Sequence, residues 1–246
     1  MLQQLRTGHK AAAALSLKMG MRSCKELREA KENYYNRHDY SGKGLSAADL
    51  ETLGTLGSVL LALKGLRLTE PAAGLDGVQR LAAGLGAGAL PAVTNLQLTR
   101  MHVGDAGASA LAAALGRGAL PRLDCLALCH TGIGDAGMVA LAPALRRLPA
   151  LTFIYLEDNP FGDEGIAALV APPPPVGALP PPVGALPPSK GVLTKLADLY
   201  LGRTQITDAG CAALAPLRST ATHCRLSRGS ICTVALPAPR RNARCM

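Results

Sequence analysis

The chain has 246 residues, 48% of them hydrophobic, enough for one sizeable domain or two small ones with a substantial core. Aromatics make up only 3% and Trp is absent, so Leu and Ala must fill nearly all of that core, which points to many similar apolar positions in repetition. The net charge of +9 sits at the ends: residues 1–50 carry nine Lys/Arg and five Asp/Glu, residues 51–208 eleven and twelve, and residues 209–246 six Arg and no acid, so the body offers no electrostatic footprint for nucleic acid.

From the N-terminus, MLQQLRTGHKAAAALSLKMG sets Arg6 and Lys10 ahead of a weakly apolar run closed by Lys18. It lacks a clear small-residue cleavage site, so a secretory signal is not expected. SCKELREAKENYYNRHDY (23–40) has apolar and charge pairs at i,i+4 and predicts a helix. SAADLETLGTLGSVLLAL (46–63) predicts a second, opened by a capping box from Ser46 to Asp49. Between them DYSGKGLSAADL has some likeness to a calcium loop of the EF-hand kind. Lys43 stands where a carboxylate is needed and one loop position is missing, so no calcium site is expected. Residues 1–58 do not repeat, and their expected role is a helical N-terminal cap.

The next region, 59–217, is periodic. VTNLQLTRMHVGDAGASALAAAL (93–115), LDCLALCHTGIGDAGMVALAPAL (123–145), LTFIYLEDNPFGDEGIAALV (151–170) and LADLYLGRTQITDAGCAALAPL (196–217) fall into one register, and a weaker copy, LKGLRLTEPAAGLDGVQRLAAGL (63–85), precedes them. Starts lie 30, 30, 28 and 45 residues apart, the last gap holding an insertion. The shared pattern is L-x-x-L-x-L-x-x-x-x-[IVF]-[GT]-D-x-G-x-x-A-L. Its first half alternates like a half-buried strand and its second half has helical spacing, so each copy predicts one strand and one helix. Asp105, Asp135, Asp163 and Asp208 stand where a helix N-cap is expected. Gly107, Gly137, Gly165 and Gly210 are expected to allow tight helix-on-strand packing.

Residues 132–137, GIGDAG, form a literal G-x-G-x-x-G between a strand and a helix, the placement of a dinucleotide-binding fingerprint. The sister copies put His102, Pro160 and Gln205 in the place of Gly132, so the first glycine is incidental. Asp135 inside the loop would also repel a pyrophosphate. No cofactor is expected.

The recurring Leu positions, turn and helix resemble the leucine-rich repeat family, in the ribonuclease-inhibitor-like subtype. That resemblance implies an α/β solenoid, or horseshoe, of about five repeats, with a parallel sheet inside and helices outside. The family's turn Asn survives as Asn159; Met101, Thr131 and Thr204 replace it elsewhere. The I-T-D-A-G of the last copy also resembles the cysteine-containing repeats of F-box proteins.

The 171–192 stretch, built on a tandem PPPVGAL, interrupts the fourth copy. It reads as an expanded surface loop, with a ligand for a proline-recognising domain as the alternative. Residues 218–246 have no acid and no periodicity; they are expected to be a basic, disordered tail, or the product of a shifted reading frame, that does not cap the solenoid. Seven cysteines with no C-x-x-C fit reduced thiols in a cytoplasmic protein rather than disulfides or zinc. The longest uncharged apolar runs are too short or too proline-rich to span a bilayer, so no membrane association is expected.

In the resembled family, the third, fifth, seventh and eighth repeat positions project from the concave sheet. That register puts Phe153, Tyr155 and Tyr200 together at exposed places beside Arg203, Glu157 and Asp158, with Arg100 and Gln97 further along and Glu70 at the eighth position of the first copy. Aromatic residues and Arg are the usual anchors of interfaces. Cys125, Cys129 and His130 share one strand, and positions four apart are separated by ~13 Å, too far for one metal. No catalytic constellation is visible. The expected function is a protein–protein interaction scaffold that binds an unidentified protein partner through this concave face. The alternatives carried by resemblance are a GTPase-activating regulator of a Ran-type small GTPase and a substrate-recognition subunit of a ubiquitin ligase.

Overall fold

The computed structural model describes residues 2–23, 25–26, 43–170, 193, 195–214 and 233–235. The expected helix at 23–40, the proline-rich insertion at 171–192 and most of the 218–246 tail lie outside the described residues.

Helix α1 (Leu2–Lys18) packs on α2 (Ala47–Thr55), burying Leu15, Met19, Leu50 and Leu53. The expected capping box is present: the Asp49 amide donates to Ser46 Oγ, and the Ser46 amide donates to Asp49 at 2.9 Å. Lys18 Nζ reaches the same carboxylate at 2.5 Å and ties the two helices. The helix expected over 46–63 is shorter than its pattern. It ends at Thr55, tightens into a 3-10 turn at Leu56–Ser58, and then runs irregularly with Leu60 and Leu63 buried. Gly54, Gly57 and the β-branched Val59 weaken its C-terminal half. Gly54 has a packing reason as well, because a Cβ there would strike the Leu81 carbonyl of the next helix.

Five strand–helix units follow: β1 (Gly65–Leu68) with α3 (Gly77–Gly84), β2 (Asn95–Leu98) with α4 (Gly104–Gly116), β3 (Cys125–Ala127) with α5 (Asp135–Leu145), β4 (Phe153–Tyr155) with α6 (Asp163–Val170), and β5 (Asp198–Tyr200) with α7 (Asp208–Ala213). The strands pair in sequence order, all parallel, with Gly65, Asn95, Cys125, Phe153 and Asp198 level with one another. This is the phase of the sequence repeat. Behind the sheet, Leu66, Leu96, Leu126, Ile154 and Leu199 form a fully buried row that meets Leu81, Leu111, Leu141 and Leu169 of the helices. Truncating one of these Leu side chains would cost ~2–5 kcal/mol.

Three residues of the tail depart from expectation. Thr233–Ala235 form β6, antiparallel to β5 at the open edge of the sheet. A terminal strand presents unpaired N–H and C=O groups, and any extended segment that reaches them gains a ladder.

The repeats are joined by the aspartates expected as N-caps. Rather than capping its own helix, each of three Asp side chains crosses to the following repeat. Asp105 Oδ1 accepts the amides of Gly134 at 2.7 Å and Gly137 at 3.0 Å. Asp135 Oδ1 accepts those of Gly162 at 2.8 Å and Gly165 at 2.7 Å. Asp163 accepts the Thr207 amide at 2.7 Å and its hydroxyl at 2.5 Å. A Cβ at Gly165 would lie 2.7 Å from Asp135 Oδ1, so the glycine makes room for the neighbouring repeat's carboxylate. In the last helix the N-cap is Thr207, whose hydroxyl accepts the Ala209 amide.

Candidate interaction face

Two rows line the open face of the sheet: Asn95, Cys125, Phe153 and Asp198 in one, and Arg67, Gln97, Ala127, Tyr155 and Tyr200 in the other. Most of this floor is closed. Asn95 and Gln97 are each 7% exposed, Cys125 2%, and Ala127 and Tyr155 6%. Tyr155 and Tyr200 stack with ring centroids 4.4 Å apart and planes 8° from parallel. These rings, with half-buried Phe153, pack over Cys125 and Ala127 as a small second apolar cluster. The expectation of three exposed aromatics is therefore corrected. Tyr155 and Gln97 support the floor, while Phe153 and Tyr200 retain partial access.

The accessible part of the face lies just beyond the strand ends. Arg100, His130, Asp158 and Arg203, the eighth positions of four consecutive repeats, all have left-handed backbone, with φ between 55° and 58°. A non-glycine residue held there costs ~1–2 kcal/mol. The conformation turns each amide toward the next repeat: Arg100 N–H donates to the Cys129 carbonyl at 3.0 Å, His130 N–H to that of Glu157 at 3.0 Å, and Asp158 N–H to that of Gly202 at 2.9 Å. The side chains form a charged ladder. Asp158 takes His130 Nε2 at 3.0 Å on one side and Arg203 Nε at 3.0 Å on the other. Arg100, His130 and Arg203 are exposed.

Glu70 does not join this row. It is 1% exposed and accepts the amides of Lys43 at 2.9 Å and Leu45 at 3.0 Å, anchoring the stretch before α2 to the first repeat. The same stretch was the candidate calcium loop. Glu157 is half-buried and receives the Cys129 thiol at 3.4 Å. Burial, aided by that neighbouring carboxylate, pushes the Cys129 thiol up to about 12. Burial also raises the carboxyl of Asp198 above its ordinary range.

Asn159 holds the turn beneath the ladder. Its Oδ1 accepts the Thr131 hydroxyl at 2.9 Å and the Ile133 amide at 3.1 Å, and its Nδ2 donates to the Leu128 carbonyl at 2.7 Å and that of Leu156 at 2.9 Å. Where Thr replaces Asn, its hydroxyl closes the turn locally, from Thr131 to Leu128 and from Thr204 to Leu201.

The GIGDAG segment takes part in the same joint between repeats. The amides of Gly134 and Gly137, which a phosphate would need, are held by Asp105. Among the described residues no group of three or more His, Cys, Asp and Glu is placed to hold a metal ion, and no helix is long and apolar enough to cross a membrane.

Residues 148–170 and 192–215 match a leucine-rich repeat family model. Sixty-four chains of solved structures match, among them Leiomodin-1 Actin-Binding Site 2, at 15% identity and a TM-score of 0.45, over 71% of this chain and 89% of that one. No curated protein sequence matches the chain. With its parallel strands and returning helices, the described chain has the fold of a leucine-rich repeat solenoid.

Proposed function

We propose that this solenoid is a protein-interaction scaffold of the ribonuclease-inhibitor-like subtype, with residues 59–217 as its repeat domain and 1–58 as the cap. Its partner docks along the strand-end edge of the concave face, on Arg100, His130, Asp158 and Arg203, with Phe153 and Tyr200 as the apolar flank. Helices of up to 13 residues between strands spaced 28–30 residues apart support the subtype.

The observation that carries the docking edge is the run of four left-handed residues, all charged or titratable. The backbone of these residues serves the fold through its bonds to the next repeat, while the exposed side chains of Arg100, His130 and Arg203 stay available to a partner. Gln97, Tyr155 and Glu157 serve from below, by fixing the floor and the Cys129 contact.

Affinity purification from the native source tests this reading, comparing wild type with Arg100→Glu/Arg203→Glu and with Arg147→Glu on the helix side, each shown folded by circular dichroism. Partners lost only with the edge variant support it. An unchanged set in a folded edge variant refutes it.

A further inference from the structure

The charged ladder already contains one example of the contact that a partner would make. Asp158 is a carboxylate seated between two basic side chains, His130 and Arg203, each at 3.0 Å. Toward the N-terminal repeats the pattern is one acid short. Arg67 on β1 and Arg100 after β2 are both exposed, and among the described residues neither makes an ion pair. Glu70, the acid nearest to them in the first repeat, is buried and committed to two backbone amides.

We propose that Arg67 and Arg100, flanked by His130, bind an acidic segment of the partner protein. The proposal rests on the docking edge assigned above and names the chemistry of what lies there. Strand spacing and rise put Arg67 and Arg100 roughly 10 Å apart, a separation that carboxylates three residues apart can match from one side of a segment in the polyproline II conformation, with three residues per turn and ~3.1 Å rise. A neutral or basic segment would leave both guanidiniums uncompensated. Nucleic acid fits less well, because a continuous polyanion along the face would run onto Glu157, Asp158 and Asp198. The ladder instead favours acid over the first repeats and a shift to apolar or basic character over the last, where Phe153 and Tyr200 lie.

The test is fluorescence anisotropy of the full chain with a labelled peptide carrying two Glu three residues apart followed by Leu, against its Gln analogue, at about 0.15 M salt. The expected result is a preference of about tenfold for the Glu peptide, lost in Arg67→Glu and in Arg100→Glu. Arg147→Glu has the same change in net charge and should keep the preference within about twofold. No preference in the wild type overturns the proposal. So does an equal loss in Arg147→Glu, which would mean attraction to overall charge, and so does displacement of the peptide by a single-stranded oligonucleotide at lower concentration. If purification loses partners in the edge variant while the two peptides bind alike, the docking edge stands and only its acidic ligand falls.

Discussion

The carboxylate of Asp135 and the amide of Gly165 meet at 2.7 Å across the boundary between two repeats, and a side chain at Gly165 would displace that carboxylate. The D-x-G of the repeat is thus two halves of one joint: the Asp serves the repeat ahead and the Gly receives the Asp from behind. Charge-assisted hydrogen bonds of this kind contribute about 1.5–3 kcal/mol. Asp135→Ala and Gly165→Ala should each lower stability by about 2 kcal/mol in urea unfolding, and the double variant by clearly less than the sum. Full additivity would mean that the two residues act separately.

Acid should loosen the last joint. Hydrogen bonds from the Thr207 hydroxyl and amide hold the Asp163 carboxyl below its usual 3.8. A depressed folded value gives stability that is present above the unfolded value and is lost as pH falls through the folded one. The expected outcome is a Tm that drops below about pH 4 in the wild type and drops less steeply in Asp163→Asn. Equal slopes would show that the joint does not titrate.

Cys129 should be a poor nucleophile. With its thiol pushed up to about 12 by burial and by Glu157, it stays protonated at neutral pH. Mass spectrometry after brief iodoacetamide treatment of the folded protein should find Cys129 unmodified, and Glu157→Gln should speed its reaction. Rapid labelling in the wild type would place the thiol outside the floor cluster.

Asn159 is 1% exposed, and its side chain bonds the two turns that hold His130 and Asp158 in place. Asn159→Ala strands several buried backbone groups and should cost about 3 kcal/mol or more, with loss of near-ultraviolet ellipticity from the tyrosine pair. A cost below about 1 kcal/mol would mean that the turns close without it.

The sheet was legible in the sequence because Leu recurs at fixed spacing, and the level of Asn95 with Cys125 and Phe153 follows from repeat starts 30 and 28 residues apart. What a single repeat cannot show is where its side chains go in the next one. Asp105 satisfied every local requirement of an N-cap, yet its partners lie 29 and 32 residues ahead. Tyr155 occupies an outward position, but its neighbours Cys125 and Ala127 are small, so the ring covers them and stacks on Tyr200. Glu70 is the counterpart of Arg100 in the first repeat, where the missing neighbour is replaced by the cap and the carboxylate turns inward. The D-x-G spacing of the last four copies was the one available signal for the joint, since two residues fixed together from copy to copy suit a shared contact. Nothing in the tail's composition marked Thr233–Ala235, because a three-residue edge strand draws its bonds from the strand it meets.

Hydrogen–deuterium exchange on the purified complex, with and without partner, measures the docking edge most directly. Protection should concentrate at the turns after β2, β3, β4 and β5, around Arg100, His130, Asp158 and Arg203, and leave the outer surfaces of α4, α5 and α6 unchanged. Protection confined to those helices, with the four turns exchanging as in the free protein, would contradict binding through the concave edge.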